Sequence, residues 1–239
     1  MNSKTAIDIL ILSFAQTDDL KKITTHAVQS LMRSEDPEKF NFNVVVLESQ
    51  KSLASFQYEQ TTTVYPDEEF NFHRYFNIGI NMTSSPYICL CNNDILFQKG
   101  WASQMMIAFE RFKDVKSASP VCPYYPMEIS TQPVSEAWFG YRVGVEVQGA
   151  CLLFKREVLK WIGQLDPNFK FYSADLDYAD TFRVMNYRHM LVRSSIVFHL
   201  GSKTLNKQEP NRKYHLTEEQ DLYYKKKWYH RTGRNWVEI

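Results

Sequence analysis

Tyr87-Ile88-Cys89-Leu90-Cys91-Asn92-Asn93-Asp94 sets an unbroken apolar run directly against an amide-amide-acid turn. A strand without polar alternation is covered on both faces, as are strands of parallel sheets flanked by helices. Upstream, Ile7 to Phe14 and Phe42 to Leu47 have the same texture, the second ending in Glu48 and Ser49. Asp18 to Met32, between them, is amphipathic with a helical period. A short strand is expected around Thr61 to Tyr65, and Phe72 to Met82 reads as a second helix. Strands alternating with helices make an α/β sheet, in which ligands collect at the carboxyl ends of the strands. Ser13, Glu48 and Asp94 all stand at such ends.

Downstream, Lys99 to Phe112 reads as a helix and Val115 to Val121 as a strand. Cys122 to Gly140, rich in proline and large aromatics, is expected to be an irregular loop. Val145 to Phe154 is strand-like, Arg156 to Ile162 a short helix, and Asp166 to Asp180 turn-rich and acidic. A last strand, Met190 to Leu200, delivers His199 at its end. Thr217 to Gly233 reads as a helix, because Glu218, Glu219 and Asp221 come early and Lys225, Lys226 and Lys227 late, which complements the helix dipole.

A chain of 239 residues, 44% of them hydrophobic, can bury one sizeable core, so a single domain is expected over 1–239. The 28 Lys+Arg against 27 Asp+Glu leave a formal charge of +1, which points to neither nucleic acid nor an anionic membrane. The apolar run near the amino terminus is too brief for a transmembrane segment and lacks a signal-peptide layout. Cys89, Cys91, Cys122 and Cys151 show no CxxC spacing, so reduced core thiols and a cytoplasmic location are expected.

Three constellations carry chemistry. Asn92-Asn93-Asp94 is a short acidic turn able to hold a divalent ion against a diphosphate, since Mn2+ and Mg2+ prefer oxygen ligands. The same triplet also makes an ordinary turn. Ser173-Ala174-Asp175-Leu176-Asp177 follows an aromatic run, Phe169 to Tyr172. There Asp175 is suited to take a proton from an acceptor hydroxyl, with Asp177 as an orienter, or both are acids at a helix start. His199 precedes Gly201-Ser202-Lys203-Thr204 and is either a further metal ligand or a structural imidazole. Lys203 and Arg74 are candidates to offset phosphate charge, and Trp138, Phe139 and Tyr141 to stack on a sugar ring at the acceptor side.

In order and spacing these residues resemble the family 2 glycosyltransferases, the inverting group with a GT-A fold. The resemblance runs from Ile7 to about Trp228. It implies that Ser13-Phe14-Ala15-Gln16 holds the nucleotide base, and that Glu48 is what remains of an acidic pair. Arg74 and Asn77, on the helix before the metal strand, would lie near the nucleotide. Asn92-Asn93-Asp94 stands where the family carries its DXD-type motif, so Asp94 inherits the metal role, with Asn92 and Asn93 in support. The strand Gln148 to Arg156, with Gly149, borders the donor sugar, and the turn Ile162 to Phe169 follows it. Asp175 matches the base, and His199 with Ser202 and Thr204 the His-x-x-Ser-x-Thr ending. Tyr223 to Trp228 matches a closing helix. The implied fold is a mostly parallel Rossmann-like sheet with flanking helices. A nucleotide-sugar half would occupy about 1–121, an acceptor and catalytic half about 122–216, and a helix and tail about 217–239. The implied activity is Mn2+- or Mg2+-dependent inverting transfer of a hexose or pentose from a nucleotide-diphosphate sugar to a glycan or glycoconjugate acceptor.

Two rivals stand beside this reading. A nucleotidyltransferase would want a Gly-rich basic loop after the first strand, and Ser13 to Asp19 offers none. A binding module without turnover is favoured by Ala174 and Asn92, which stand where the family has acids.

Overall fold

The computed structural model describes residues 4–123, 137–201 and 214–232. The elements in chain order are β1 (Thr5–Ser13), α1 (Asp18–Met32), β2 (Phe40–Glu48), β3 (Thr62–Val64), α2 (Phe72–Asn81), β4 (Tyr87–Asn92), β5 (Ile95–Phe97), α3 (Trp101–Arg111), β6 (Val115–Val121), β7 (Trp138–Phe139) and β8 (Cys151–Lys155). A 3-10 turn (Arg156–Val158) leads into α4 (Leu159–Ile162), then α5 (Ala174–Val184), β9 (Arg188–His199) and α6 (Glu218–Thr232). Among the described residues they form one sheet in the order β3-β2-β1-β4-β8-β6-β9-β5, with β7 on β9.

The continuous apolar runs behave as a two-sided sheet requires. Ile7, Ile9, Ile11, Val44, Val46, Cys89 and Cys91 join one core with residues of α1 and α3. Their neighbours Leu10, Leu12, Val45, Leu47, Ile88 and Leu90 join a second core with residues of α2 and α5. Side chains alternate across a strand, so both sets are buried only because helices cover both faces. Gly79 lets α2 approach closely: a Cβ there would stand 2.9 Å from a Leu10 methyl.

The strands β3, β2, β1 and β4 are parallel, and β8 then runs antiparallel to both β4 and β6. β6 and β9 are parallel, with β5 and β7 antiparallel on β9. The parallel half holds the expected nucleotide side, and the sheet as a whole is mixed.

Several expected elements have other bounds. The strand foreseen over Val145 to Phe154 shortens to β8, because Val143 to Val147 closes a turn in which Gly144 N–H donates to the Val147 carbonyl at 2.9 Å. The turn-rich stretch ending at Asp180 becomes helical from Ala174. β5 adds a short strand directly after the Asn92-Asn93-Asp94 turn, and β7 lies within the expected loop.

One buried charge holds the sheet from below. Asp8 is fully buried in β1 and accepts from Arg156 Nη2 at 2.6 Å, Asn43 Nδ2 at 2.8 Å and Ser85 Oγ at 2.7 Å. Burial pushes its pKa up, but these hydrogen bonds more than offset that, and the net shift is downward.

Candidate active site

β4 ends where Asn92 N–H donates to the Ala150 carbonyl at 3.0 Å, and the chain then turns through Asn93 and Asp94 into β5. β5 pairs with the end of β9, Ile95 opposite His199, and Leu200 N–H donates to the Asp94 carbonyl at 2.9 Å. β9 reaches this position through an irregularity: Pro120 pairs with Val192 but Val121 with Ile196. A bulge of this kind re-aims a strand end. As a result His199 Nε2 stands 3.0 Å from Asp94 Oδ1 and 3.4 Å from Asn92 Nδ2.

The pair suits a divalent ion. A six-coordinate ion with bonds of about 2.1 Å separates adjacent ligand atoms by about 3.0 Å, and the two donor atoms are 3.0 Å apart. A carboxylate with an imidazole accommodates Mn2+ at least as readily as Mg2+, which takes oxygen ligands by preference. Asn93 turns away, its amide donating to Thr24 Oγ1 on α1 at 3.0 Å.

Facing this corner is the start of α5. Asp175, His199, Asn92, Gly149 and Ser173 line one cavity of about 430 Å³, with Phe72, Phe171 and Tyr172 as its aromatic wall. That size accommodates part of a nucleotide sugar or a sugar ring. Asp175 Oδ1 accepts from Leu176 N–H at 2.9 Å. Burial raises the Asp175 pKa above the ordinary carboxylate value, against backbone hydrogen bonds that lower it. Gly149 is required by proximity, since a Cβ there would meet Asp175 Oδ2 at 2.6 Å. Asp94 sits behind His199, one contact from the cavity. Asp94, Asp175 and His199, far apart in the chain, thus converge.

Other candidates lie elsewhere. Ser13 and Glu48 are fully buried. The Glu48 carboxylate accepts from Ala15 N–H and Gln50 N–H at 2.9 Å each and from Tyr58 OH at 3.2 Å. Ser13 Oγ is 2.8 Å from Thr24 Oγ1 and 3.0 Å from Tyr58 OH. These two residues therefore shape the loops after β1 and β2 from beneath, and Phe14 in the first of those loops is partly exposed. Asn77 is also occupied: its amide donates to the Leu165 carbonyl at 2.7 Å and accepts Leu165 N–H at 3.0 Å, pinning the turn after α4. Arg74 pairs with Glu68 at 3.2 Å on the surface.

The acceptor-side candidates lie outside the cavity. Asp177 is buried away from the cavity, accepting Trp228 Nε1–H at 2.8 Å with Lys227 Nζ at 2.7 Å. It fastens α6 to the helix that carries Asp175. Trp138 lies under the Arg193 guanidinium at 4.8 Å, and Tyr141 OH donates to the Tyr187 carbonyl at 3.1 Å. Neither lines the cavity, whose aromatic wall is Phe72, Phe171 and Tyr172. The signal for that wall was the aromatic run just before Asp175. Ala174 packs with Phe169, Tyr224 and Trp228, so an acid at this position would be buried in an apolar cluster. Lys203, Ser202 and Thr204 lie outside the described residues.

Cys89, Cys91 and Cys151 cluster in the core that α1 and α3 cover, with Sγ separations of 3.3, 3.7 and 3.9 Å. All three are buried and unbridged; burial pushes the Cys89 and Cys91 thiols up, while hydrogen bonds from those two thiols pull the Cys151 thiol down.

The mixed sheet with helices on both faces is the GT-A fold, shared with the solved structures that the chain superimposes on. Among solved structures, the chain superimposes on GalNAc-T7 crystallised with UDP, GalNAc and Mn2+ at a TM-score of 0.65, 10% identity, over 98% of this chain and 52% of that one. It superimposes on residues 1–349 of Staphylococcus aureus TarS at a TM-score of 0.60, 10% identity, over 96% of this chain and 75% of that one. A second TarS structure matches at a TM-score of 0.56 and 11% identity, over 82% of this chain and 37% of that one. The chain therefore spans about half the length of the GalNAc-T7 structure. No protein-family model and no curated protein sequence matches it. At such identities the fold is what is shared. Among the described residues no helix is long and apolar enough to cross a membrane.

Proposed function

We propose that the chain is a family 2-type glycosyltransferase, moving a hexose or pentose from a nucleotide-diphosphate sugar to a hydroxyl of a glycan or glycoconjugate with inversion. The observation that carries this reading is that Asp175 and His199, the latter in contact with Asp94, open on one cavity. Asp94 and His199, with Asn92 beside them, would hold Mn2+ or Mg2+, and a cation bound there supplies charge to balance a departing diphosphate. The half spanning about 1–121 would receive the nucleotide over the loops buttressed by Glu48 and Ser13, with Phe14 near the base. Gly149 leaves room for the donor sugar beside Asp175, and Lys203 is a further candidate for the phosphates. Asp175 accepts the proton of the incoming hydroxyl from the face opposite the leaving group. The cytoplasm, reducing and supplied with nucleotide sugars, is the location that fits the free thiols.

The raised pKa of Asp175 sets the sign of the pH response. A base with an elevated pKa stays protonated further up the scale, so transfer should rise along an acid limb displaced above that of an ordinary aspartate. Incubation with Mn2+, a panel of nucleotide sugars and sugar acceptors tests the reading by nucleotide release. Turnover lost in Asp94→Ala and Asp175→Asn supports it. Tight nucleotide-sugar binding without release would instead establish a non-catalytic binding module.

A further inference from the structure

Ser173 combines three features. It takes a left-handed conformation, φ 58 and ψ 5, as the N-cap of α5. The other non-glycine residues with positive φ, Gln60 and Asn186, are exposed, whereas Ser173 is 2% exposed. Its hydroxyl has no hydrogen-bond partner. Left-handed backbone is strained for a residue with a Cβ, and a buried hydroxyl without a partner is costly.

The ordinary reason for a serine at a helix start is missing. An N-cap serine accepts an N–H from the first turn, but no such bond is made here. Leu176 N–H goes to Asp175 Oδ1 and Asp177 N–H to the Ser173 carbonyl. Glycine would satisfy the backbone better, yet serine is present, two residues before the candidate base and on the wall of the same cavity. Strain and an orphan polar group at one position are what a ligand-contacting residue retains when its partner is the ligand.

We propose that Ser173 contacts the acceptor: its hydroxyl hydrogen-bonds a hydroxyl of a sugar ring, next to the hydroxyl that Asp175 deprotonates. This rests on the glycosyl-transfer reading above. The ligand is a polyhydroxylated ring because the adjoining wall is aromatic, with Phe171 and a half-exposed Tyr172, and such faces stack on pyranoses. It is the acceptor because Ser173 is two residues from Asp175 at the start of α5, whereas the diphosphate of the donor belongs with His199 and the Asp94 behind it. The hydroxyl is sealed from solvent, so a χ1 rotation accompanies binding.

The experiment compares Ser173→Ala, which removes the hydroxyl and keeps the strain, with Ser173→Gly, which removes both. Expected are a tenfold or greater loss of kcat/KM for the acceptor in each variant, an unchanged affinity for UDP with Mn2+, and a Tm for Ser173→Gly at or above the parent. Unchanged acceptor kcat/KM in both variants overturns the proposal, as does a loss that tracks a fall in Tm in both. If the parent releases nucleotide from no donor, the transfer reading fails, and saturation-transfer NMR with methyl hexosides and N-acetylhexosaminides decides Ser173 separately. Saturation seen with the parent and lost in Ser173→Ala supports the contact; saturation equal in both, or absent from the parent, overturns it.

Discussion

Replacing Gly149 by alanine should cripple transfer while leaving the fold standing. The new Cβ would lie 2.6 Å from Asp175 Oδ2 and 2.8 Å from Asp175 Cβ, against an ordinary contact beginning at 3.4 Å. The carboxylate alone cannot relieve this, because Cβ is anchored to the helix backbone. Either the start of α5 or the turn before β8 must therefore retreat by about 0.6 Å, the shortfall between 3.4 Å and the 2.8 Å contact with Asp175 Cβ. A misplacement of about 1 Å between a catalytic group and its target costs about 100-fold in rate. Overpacking of this kind destabilises by about 1–3 kcal/mol, small enough to keep the chain folded. The assay is acceptor-dependent nucleotide release beside a urea unfolding curve. An alanine variant with parental kcat and parental stability would refute the reasoning, because it would mean that Asp175 and Gly149 do not touch in the working enzyme.

Three further outcomes are expected. His73 and His189 are buried and held near a pKa of about 4, so the unfolded chain, with histidines near 6.5, binds more protons below neutrality. Stability is then full above about pH 6.5 and falls toward pH 4, by on the order of 2 kcal/mol per histidine between pH 7 and 5; equal urea midpoints at pH 7 and 5 would contradict this. Asp8→Ala should destabilise by about 3–5 kcal/mol, since it strands the partly buried Arg156 guanidinium, and a Tm unchanged by the substitution would show that the ion pair is not formed. Ellman's reagent should leave Cys89, Cys91 and Cys151 unmodified until the chain is unfolded, and fast labelling of the native protein at any of the three would disprove their burial.

Much of the fold is legible because its central strands are covered on both faces, which turns β1, β2 and β4 into unbroken apolar runs. β8 is harder to bound. Val145 and Val147 are apolar like Leu152 and Leu153, and only the turn closed by Gly144 separates the two groups. Asp94, Asp175 and His199 stand out because each follows or opens an element at a recognisable offset. Glu48 shows the limit of that approach: its place at a strand end suits a ligand, yet its carboxylate serves two backbone N–H groups and Tyr58, partners brought in by folding. Asp8 carried its own warning, because an acid inside an apolar strand demands a partner. That partner, Arg156, is 148 residues away and nothing local to Asp8 points to it. Trp138 and Tyr141 cannot be told from Phe171 and Tyr172 by sequence for a similar reason, since both pairs are aromatic and only the path of β7 along β9 carries Trp138 away from the cavity.

The central claim is that Asp94 and His199 meet Asp175 across one cavity that holds the donor. An anomalous difference map from crystals grown with Mn2+ and UDP tests it most directly. The account predicts one peak within bonding distance of Asp94 and His199, with the diphosphate on it and Asp175 across the cavity. A peak at other residues, or a nucleotide bound outside this cavity, would contradict it.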